Sequence, residues 1–353
     1  MPIAQYIKDS LYLFNHIDQI MPSSANSSDY VTDAELSTAA SYQLEHLPEL
    51  NHRHLTSSGS TNSELIAALQ HGALNSAEMH LLTAETQSSG RGQHGRSWQS
   101  PRGNVYLSLY HPVHRPISGL LSLIIGAQLA KMPVIQTLNE QLQAHGLTPI
   151  GVKWANDLGF YESTHDRQKQ PTSIASEASQ QTLPFHKLAG ILIEPVIKSG
   201  QLTGVVMGIG LNVQATPKLT TQTREGMSYQ AISLQDIGEK LTAKAQPITL
   251  PSLRVLYEQM SKALIAALTQ FEHLALEAPT GHGYYLARFL QQFDAIDALA
   301  GLRVRVTQDY NNKEQVVTGQ ACGIDTQGCL QLRQDNGKIS ALFTGRIDVI
   351  ARA

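Results

Sequence analysis

Apolar positions between residues 52 and 295 switch between two periods, and the switches mark out elements. Thr61-Asn62-Ser63-Glu64 has the spacing of a capping box. The apolar residues Leu65, Ile66 and Leu69 follow at helical spacing, so a helix is expected to run from there to about Gly72. Leu81 to Ala84 and Asn104 to Tyr110 read as strands bracketing a glycine-rich loop. Leu120 to Leu142 has helical composition, with Pro133 marking a break. Gly151 to Trp154 reads as a strand. Leu188 to Ile197 and Gly204 to Val213 read as adjacent strands joined at Ser199-Gly200, and Leu253 to Leu274 as a long amphipathic helix. The pattern is α+β.

After about residue 300 the period becomes two throughout. Leu302 to Val306, Gln315 to Thr318, Leu330 to Leu332 and Ile347 to Ile350 are expected strands. Turns are expected at Asn311-Asn312, Asp325 to Gly328 and Asp335-Asn336-Gly337. The expected organisation is an N-terminal extension over 1–50, a main domain over 51–297 and a small β-barrel over 298–353. In the extension, Ile7, Leu11, Phe14 and Ile17 to Ile20 suggest one short amphipathic helix before a serine-rich run. Glu162 to Phe185 is rich in Ser, Thr and Gln and reads as an exposed insertion.

Composition narrows the class. The chain has 353 residues, 42% of them hydrophobic and 16% charged, which is globular rather than disordered. A formal charge of −3 supplies no basic field for nucleic acid, so anion binding must be local. The extension offers neither three helices nor a basic face, so no DNA reader is expected there. Cys322 and Cys329 are the only cysteines, too few for a disulfide framework, and they form no zinc pattern. Asp9 and Asp18 oppose the lone base Lys8 at the start, unlike a signal peptide, and no apolar run reaches about 18 residues. A cytoplasmic protein with no membrane partner is the expectation.

The chemistry concentrates in Gly90-Arg91-Gly92-Gln93-His94-Gly95-Arg96-Ser97-Trp98. Three glycines permit close backbone approach to a ligand, and two arginines supply fork-shaped donors for phosphate or carboxylate. No Gly-Lys-Ser/Thr follows, so this is no P-loop, and a strand follows where a dinucleotide fingerprint would open a helix. A flexible RNA-binding Arg/Gly tail would repeat and lie at a terminus. This single copy sits between two apolar strands, which favours an anion-binding active-site loop.

The loop resembles the Gly-Arg-Gly-x-x-Gly-Arg-x-Trp signature of biotin protein ligases, and further family motifs follow in order. Ser60-Thr61-Asn62 matches Ser-Thr-Asn, and Glu85-Thr86-Gln87 precedes the loop as it should. Lys153-Trp154-Ala155-Asn156-Asp157 resembles Lys-Trp-Pro-Asn-Asp, with alanine in place of proline. Lys187-Leu188-Ala189-Gly190-Ile191-Leu192 and Gly208-Ile209-Gly210-Leu211-Asn212 complete the series.

The resemblance implies a class II synthetase-like catalytic domain, a mixed sheet with helices, followed by an SH3-like barrel. It implies ATP and biotin as substrates with Mg2+, a biotinyl-5′-AMP intermediate, and a biotin carboxyl carrier protein of acetyl-CoA carboxylase as acceptor. It leaves a homodimer open. By the same resemblance, Lys187, Arg91, Arg96 and Lys153 are the catalytic cations. Ser60, Thr61, Asn62, Gln87, Gly90, Arg91, Gly92, Gln93, Lys187 and Gly190 would line the biotin site. Arg91, Gln93, Arg96, Trp98, Lys153 and Asn212 would meet the nucleotide, with Trp98 on adenine and Asn212 at its edge. Asn156 and Asp157 would shape their strand end rather than ligate metal. Gln93-His94 stands where many relatives carry arginine, so a weaker grip on the adenylate is expected. Two other readings are a lipoate or octanoate transferase, which lacks such a glycine loop, and a biotin-sensing repressor.

Overall fold

The computed structural model describes residues 50–113, 115–162, 182–217, 229–242, 248–277, 284–310 and 313–351. The expected N-terminal helix, the turn at Asn311-Asn312 and residues 163–181 of the insertion lie outside the described residues.

In chain order the elements begin with β1 (Asn51–Leu55), α1 (Thr61–Gln70), β2 (His80–Ala84) and β3 (Val105–Pro112). There follow α2 (Leu120–Ala130), α3 (Pro133–Ala144), β4 (Gly151–Lys153) and β5 (Asp157–Tyr161). Next come β6 (Thr182–Leu183), β7 (Phe185–Lys198), β8 (Gln201–Leu211) and β9 (Tyr229–Ala231). Three helices close this part: α4 (Leu234–Thr242), α5 (Leu253–Glu277) and α6 (Tyr284–Asp294). The last part holds β10 (Arg303–Tyr310), β11 (Lys313–Ile324), β12 (Leu330–Arg333), β13 (Ile339–Leu342) and β14 (Arg346–Ile350).

The main sheet runs β1-β2-β3-β8-β7-β5-β4, with β9 beside β7; β1/β2 and β7/β9 are parallel and the other pairs antiparallel. Strand alternation divides its side chains between two cores. Leu81, Leu107, Leu109, Val205, Met207 and Ile209 face the large core, which also takes α2 and α5. Leu82, Tyr110, Val196 and Val206 face a smaller core completed by Leu65 and Leu69 of α1. Leu69 is fully buried there, so truncating it to alanine would cost about 2–5 kcal/mol. Helix α2 is almost wholly buried and helix α3 starts at Pro133, bent by 71° from it. Among the described residues no single helix is long and apolar enough to cross a membrane.

The second sheet runs β13-β12-β11-β10-β14-β6. Its outermost strand is not C-terminal at all: Thr182–Leu183 pairs with Ile350 and Val349. The end of the expected insertion is therefore a strand, because its two backbone rungs complete the edge left open by β14. Trp154 Nε1 donates to the Gly328 carbonyl at 2.9 Å, pinning the Asp325–Gly328 turn to the main domain.

The capping box is not formed as its spacing predicts. Ser60 is the N-cap, without a side-chain cap bond, and Thr61 is the first helical residue. Glu64 instead accepts from the Ser58 hydroxyl at 2.6 Å and the Gly59 N–H at 3.0 Å, stitching down the turn before the helix.

Candidate active site

The glycine loop folds back on itself because its glycines allow it. Trp98 N–H donates to Gly90 O at 2.8 Å and Gly92 N–H to Arg96 O at 2.7 Å, closing a narrow hairpin. A Cβ on Gly90 would lie 2.4 Å from the Trp98 carbonyl oxygen, so only glycine fits that crossing. The tip, Gln93–Gly95, is a 3-10 turn in which His94 takes a φ of 57° and is exposed.

From this hairpin Trp98 lies over the sheet. A Cβ on Gly210 would come within 2.4 Å of the indole and one on Gly190 within 2.9 Å. Gly208 makes the same kind of room for Asn62, whose Oδ1 would lie 2.1 Å from an added Cβ. The glycines of β7 and β8 thus strip side chains from one face of the sheet, leaving a floor on which flat groups lie close to backbone.

Cations stand at one end of this floor. Lys187 Nζ is 2.6 Å from Asp157 Oδ1 and hangs over the rings of Trp98 and Tyr229, 5.3 and 5.5 Å from their centroids. The β5–β7 register shifts between Leu158 and Gly159, so Leu188 has no rung. That bulge puts Lys187 on the same face as Gly190, three residues away. Lys153, the last residue of β4, is 3% exposed and sits 5.0 Å from the Phe185 ring centroid. Burial holds its ammonium below the usual lysine range, and Asp157 pulls the other way, with Lys187 and Arg96 adding repulsion. The adjoining Trp154–Ala155 peptide, where alanine replaces the family's proline, is cis.

The other end of the floor is polar, with neutral side chains gathered around one ion pair. Gln87 Oε1 accepts from the Thr61 N–H at 2.9 Å and the Thr61 hydroxyl at 3.1 Å, so a neighbouring loop caps α1 from outside. Gln87 Nε2 donates to Ser100 at 2.9 Å. The Ser108 hydroxyl lies 2.7 Å from Thr61 Oγ1 and 2.5 Å from Asn62 Oδ1. Asn62 Nδ2 donates to Glu194 Oε2 at 2.9 Å, and Arg91 Nη2 donates to the same oxygen at 2.6 Å.

Contacts and charge interactions link Thr61, Asn62, Gln87, Gly90, Arg91, Trp98, Lys153, Lys187 and Gly190, while Ser60 is the buried N-cap beside Thr61 and Gly92 pairs with Arg96 in the hairpin. Gln93 is half-buried at the hairpin tip, and exposed Arg96 is near enough to Lys153 to repel its charge. Asn212 directly follows β8. It is 1% exposed, its Nδ2 donates to Ile232 O at 3.1 Å, and Asn104 lies against its Oδ1. Its backbone N–H takes Leu188 O, so Asn212 secures the strand that carries Lys187. Glu194, at the end of the Lys187–Glu194 motif segment, and Tyr229 contact these residues and were not among the expected site residues. Asp157 was singled out only as a strand-end residue.

A glycine floor flanked by buried cations on a mixed sheet, with an arginine hairpin folded over it, defines a ligand-activating enzyme. Residues 57–212 match the biotin/lipoate A/B protein ligase family and residues 301–349 match the biotin protein ligase C-terminal domain. The chain is 31% identical to the bifunctional ligase/repressor BirA of Salmonella typhimurium, over 82% of this chain and 71% of that protein. It is 30% identical to a biotin–acetyl-CoA-carboxylase ligase of Mycobacterium tuberculosis, over 78% of this chain and 80% of that one. Its fold is similar to the Aquifex aeolicus biotin protein ligase solved with biotin and ATP, with a TM-score of 0.54, 19% identity, and coverage of 86% and 99% of the two chains. The chain belongs to the biotin protein ligase family.

Proposed function

We infer that this enzyme is an ATP-dependent biotin protein ligase. The biotin carboxylate attacks the α-phosphate of ATP, pyrophosphate leaves, and biotinyl-5′-AMP forms. A lysine amine of a biotin carboxyl carrier protein then attacks the carbonyl of this mixed anhydride, forming an amide and releasing AMP.

The observation that carries this reading is the meeting of Lys187, Asp157 and Lys153 at one end of a glycine floor whose other end is lined by the neutral polar groups of Thr61, Asn62 and Gln87. Joining a carboxylate to a triphosphate brings like charges together, so fixed cations must already be in place. Lys187 is the residue assigned to bridge carboxylate and α-phosphate, with Lys153 behind it and Arg91 and Arg96 reaching over from the loop. Ser60, Thr61, Asn62 and Gln87 suit the ureido ring of biotin, which presents two N–H donors and one carbonyl acceptor. Trp98 supplies a flat apolar cover, and Gln93 offers its backbone and amide to the adenylate phosphate.

Magnesium is part of the reading as a companion of the triphosphate, whose charge it would neutralise. Mg2+ keeps several waters and is held largely by the substrate's own phosphates. The reading places the enzyme in the cytoplasm, without DNA or membrane as partner, and allows a homodimer.

Incubation with ATP, Mg2+, biotin and a carrier domain, followed by mass spectrometry, tests it. A biotin-sized gain on one carrier lysine is expected. Its absence, or an equal gain from lipoate, would overturn the assignment. In a gel shift, tight binding to operator DNA would add the repressor role that this reading leaves out.

A further inference from the structure

Glu194 lies on β7 beyond the glycine floor, and no step of the reaction above uses it. One of its oxygens, Oε2, accepts from two groups that come from different parts of the chain. Arg91 Nη2 reaches it at 2.6 Å from the glycine loop, and Asn62 Nδ2 at 2.9 Å from the start of α1. Asn62 is otherwise spoken for, with Nδ2 also near Leu192 O at 3.3 Å and Oδ1 beside Ser108. Gly208 clears the sheet beneath it. A buried amide so constrained needs an acceptor at that point, since an unmade bond to a buried donor is costly.

The charge of Glu194 is not needed to satisfy Asn62. A neutral carbonyl would serve as well. The charge matters for Arg91, whose ion pair closes the mouth of the hairpin against β7, the strand that carries Lys187. The bond occupies one of the guanidinium's five N–H groups, so the same side chain can hold Glu194 and a ligand anion together.

We propose that Glu194 is a positioning residue: through one carboxylate oxygen it sets the glycine loop against the start of α1, so that both walls of the ligand site are in place before ligand enters. The proposal rests on the reading of this loop and α1 as the walls of the biotin site. Arg91 and Glu194 are 41% and 23% exposed, so the pair is a modest one. An ordering effect of about fivefold, not an abolition of activity, matches such a pair.

Glu194→Gln is the informative variant, because it keeps an oxygen for Asn62 while removing the charge from Arg91. In the unliganded enzyme, tryptic cleavage at Arg91 should become about fivefold faster than in the wild type. Saturating biotin with ATP should bring the variant back to the rate of the liganded wild type. The biotin KM should rise about fivefold with kcat held within about twofold, since the lysines are untouched. In an Arg91→Gln background, Glu194→Gln should change KM no further. Wild-type cleavage and KM in Glu194→Gln would overturn the proposal, and so would a fall in kcat at unchanged KM, the mark of a structural role alone. Failure of biotin and ATP to protect the wild-type loop would overturn the underlying reading of the loop, and with it the role of Glu194.

Discussion

Lys187 meets Asp157 across the one irregular rung of the β5–β7 ladder, with Nζ 2.6 Å from Oδ1. The same carboxylate is the main group keeping buried Lys153 charged. One acid thus serves two lysines, and its removal has a predictable sign. Without Asp157, the Lys153 ammonium is opposed by burial, Lys187 and Arg96 with only the weaker pull of Asp348 to offset them, so it gives up its proton at lower pH. Asp157→Asn should shift the alkaline limb of kcat/KM for adenylate formation toward neutrality. At pH 7 the loss should be on the order of 10²-fold, comparable to losing one fixed charge from a charge-developing site. A pH–rate profile checks this, and an alkaline limb identical to the wild type's would show that Asp157 does not hold Lys153.

Gly210 has no space for a methyl group, because an added Cβ would lie 2.4 Å from the Trp98 ring. Gly210→Ala should push the indole off the floor and raise the KM for ATP about tenfold or more, with a modest loss of stability of about 1–3 kcal/mol from overpacking. Gly238, where nothing lies within 4 Å of an added Cβ, is the control position. Equal KM values in the two alanine variants would contradict a role for the bare floor.

Gln93 occupies the hairpin tip, half-buried beside exposed His94. An arginine there would add a charged donor to the adenylate phosphate. Gln93→Arg should slow the release of biotinyl-5′-AMP from the enzyme in a rapid-dilution assay, by about tenfold for one charge-assisted hydrogen bond. An unchanged release rate would sink the idea that this position governs retention.

Two buried groups set the pH dependence of stability in opposite directions. His52 shares the Thr83 hydroxyl with His54, and burial lowers its pKa to about 4. Its neutral form stabilises the fold above pH 6.5, the unfolded value, and that contribution is lost as pH falls through 4. Asp297, bridged to Val152 of β4, is pushed by burial up to about 6. Its protonated form stabilises the fold fully below pH 3.8, and that contribution is lost as pH rises through 6. Between pH 4 and 6 the two slopes oppose each other, each by up to roughly 3 kcal/mol. Asp297→Asn should therefore reveal a melting temperature that climbs from pH 4 to 6.5, and should stabilise the enzyme above pH 7. A Tm–pH curve parallel to the wild type's would count against Asp297.

Most of the glycine floor and its cations was legible because glycine, arginine and a lysine leading an apolar strand are local signals. What escaped was non-local or carried by polar residues facing inward. Strand β1 hides because its inward positions are His52 and His54, so the alternation is there but not in hydrophobicity. Helix α4 did carry a signal, the capping box of Ser233 and Asp236, whose side chains bond each other's backbone N–H groups at 3.1 and 2.8 Å. It went unread because its apolar face is only Leu234, Ile237 and Leu241. Arg91 finds Glu194 across 103 positions, and Thr61 finds Gln87 across 26, distances at which periodicity says nothing. The second of these also bears on the cap: Gln87 takes both the N–H and the hydroxyl of Thr61, so the helix end is served from a distant loop and not by the residues of the box.

The chain has two tryptophans, and the fold gives them separate surroundings. Trp98 lies on bare backbone under the arginine hairpin, while Trp154 is hydrogen-bonded to the turn at Gly328 in the second sheet. The enzyme thus carries two native optical probes, one at the ligand floor and one at the seam between domains. With Trp154 replaced by phenylalanine, fluorescence reads ligand arrival; with Trp98 replaced, it reads the seam. Comparing their time courses after mixing with substrate would order the two events without attaching any label.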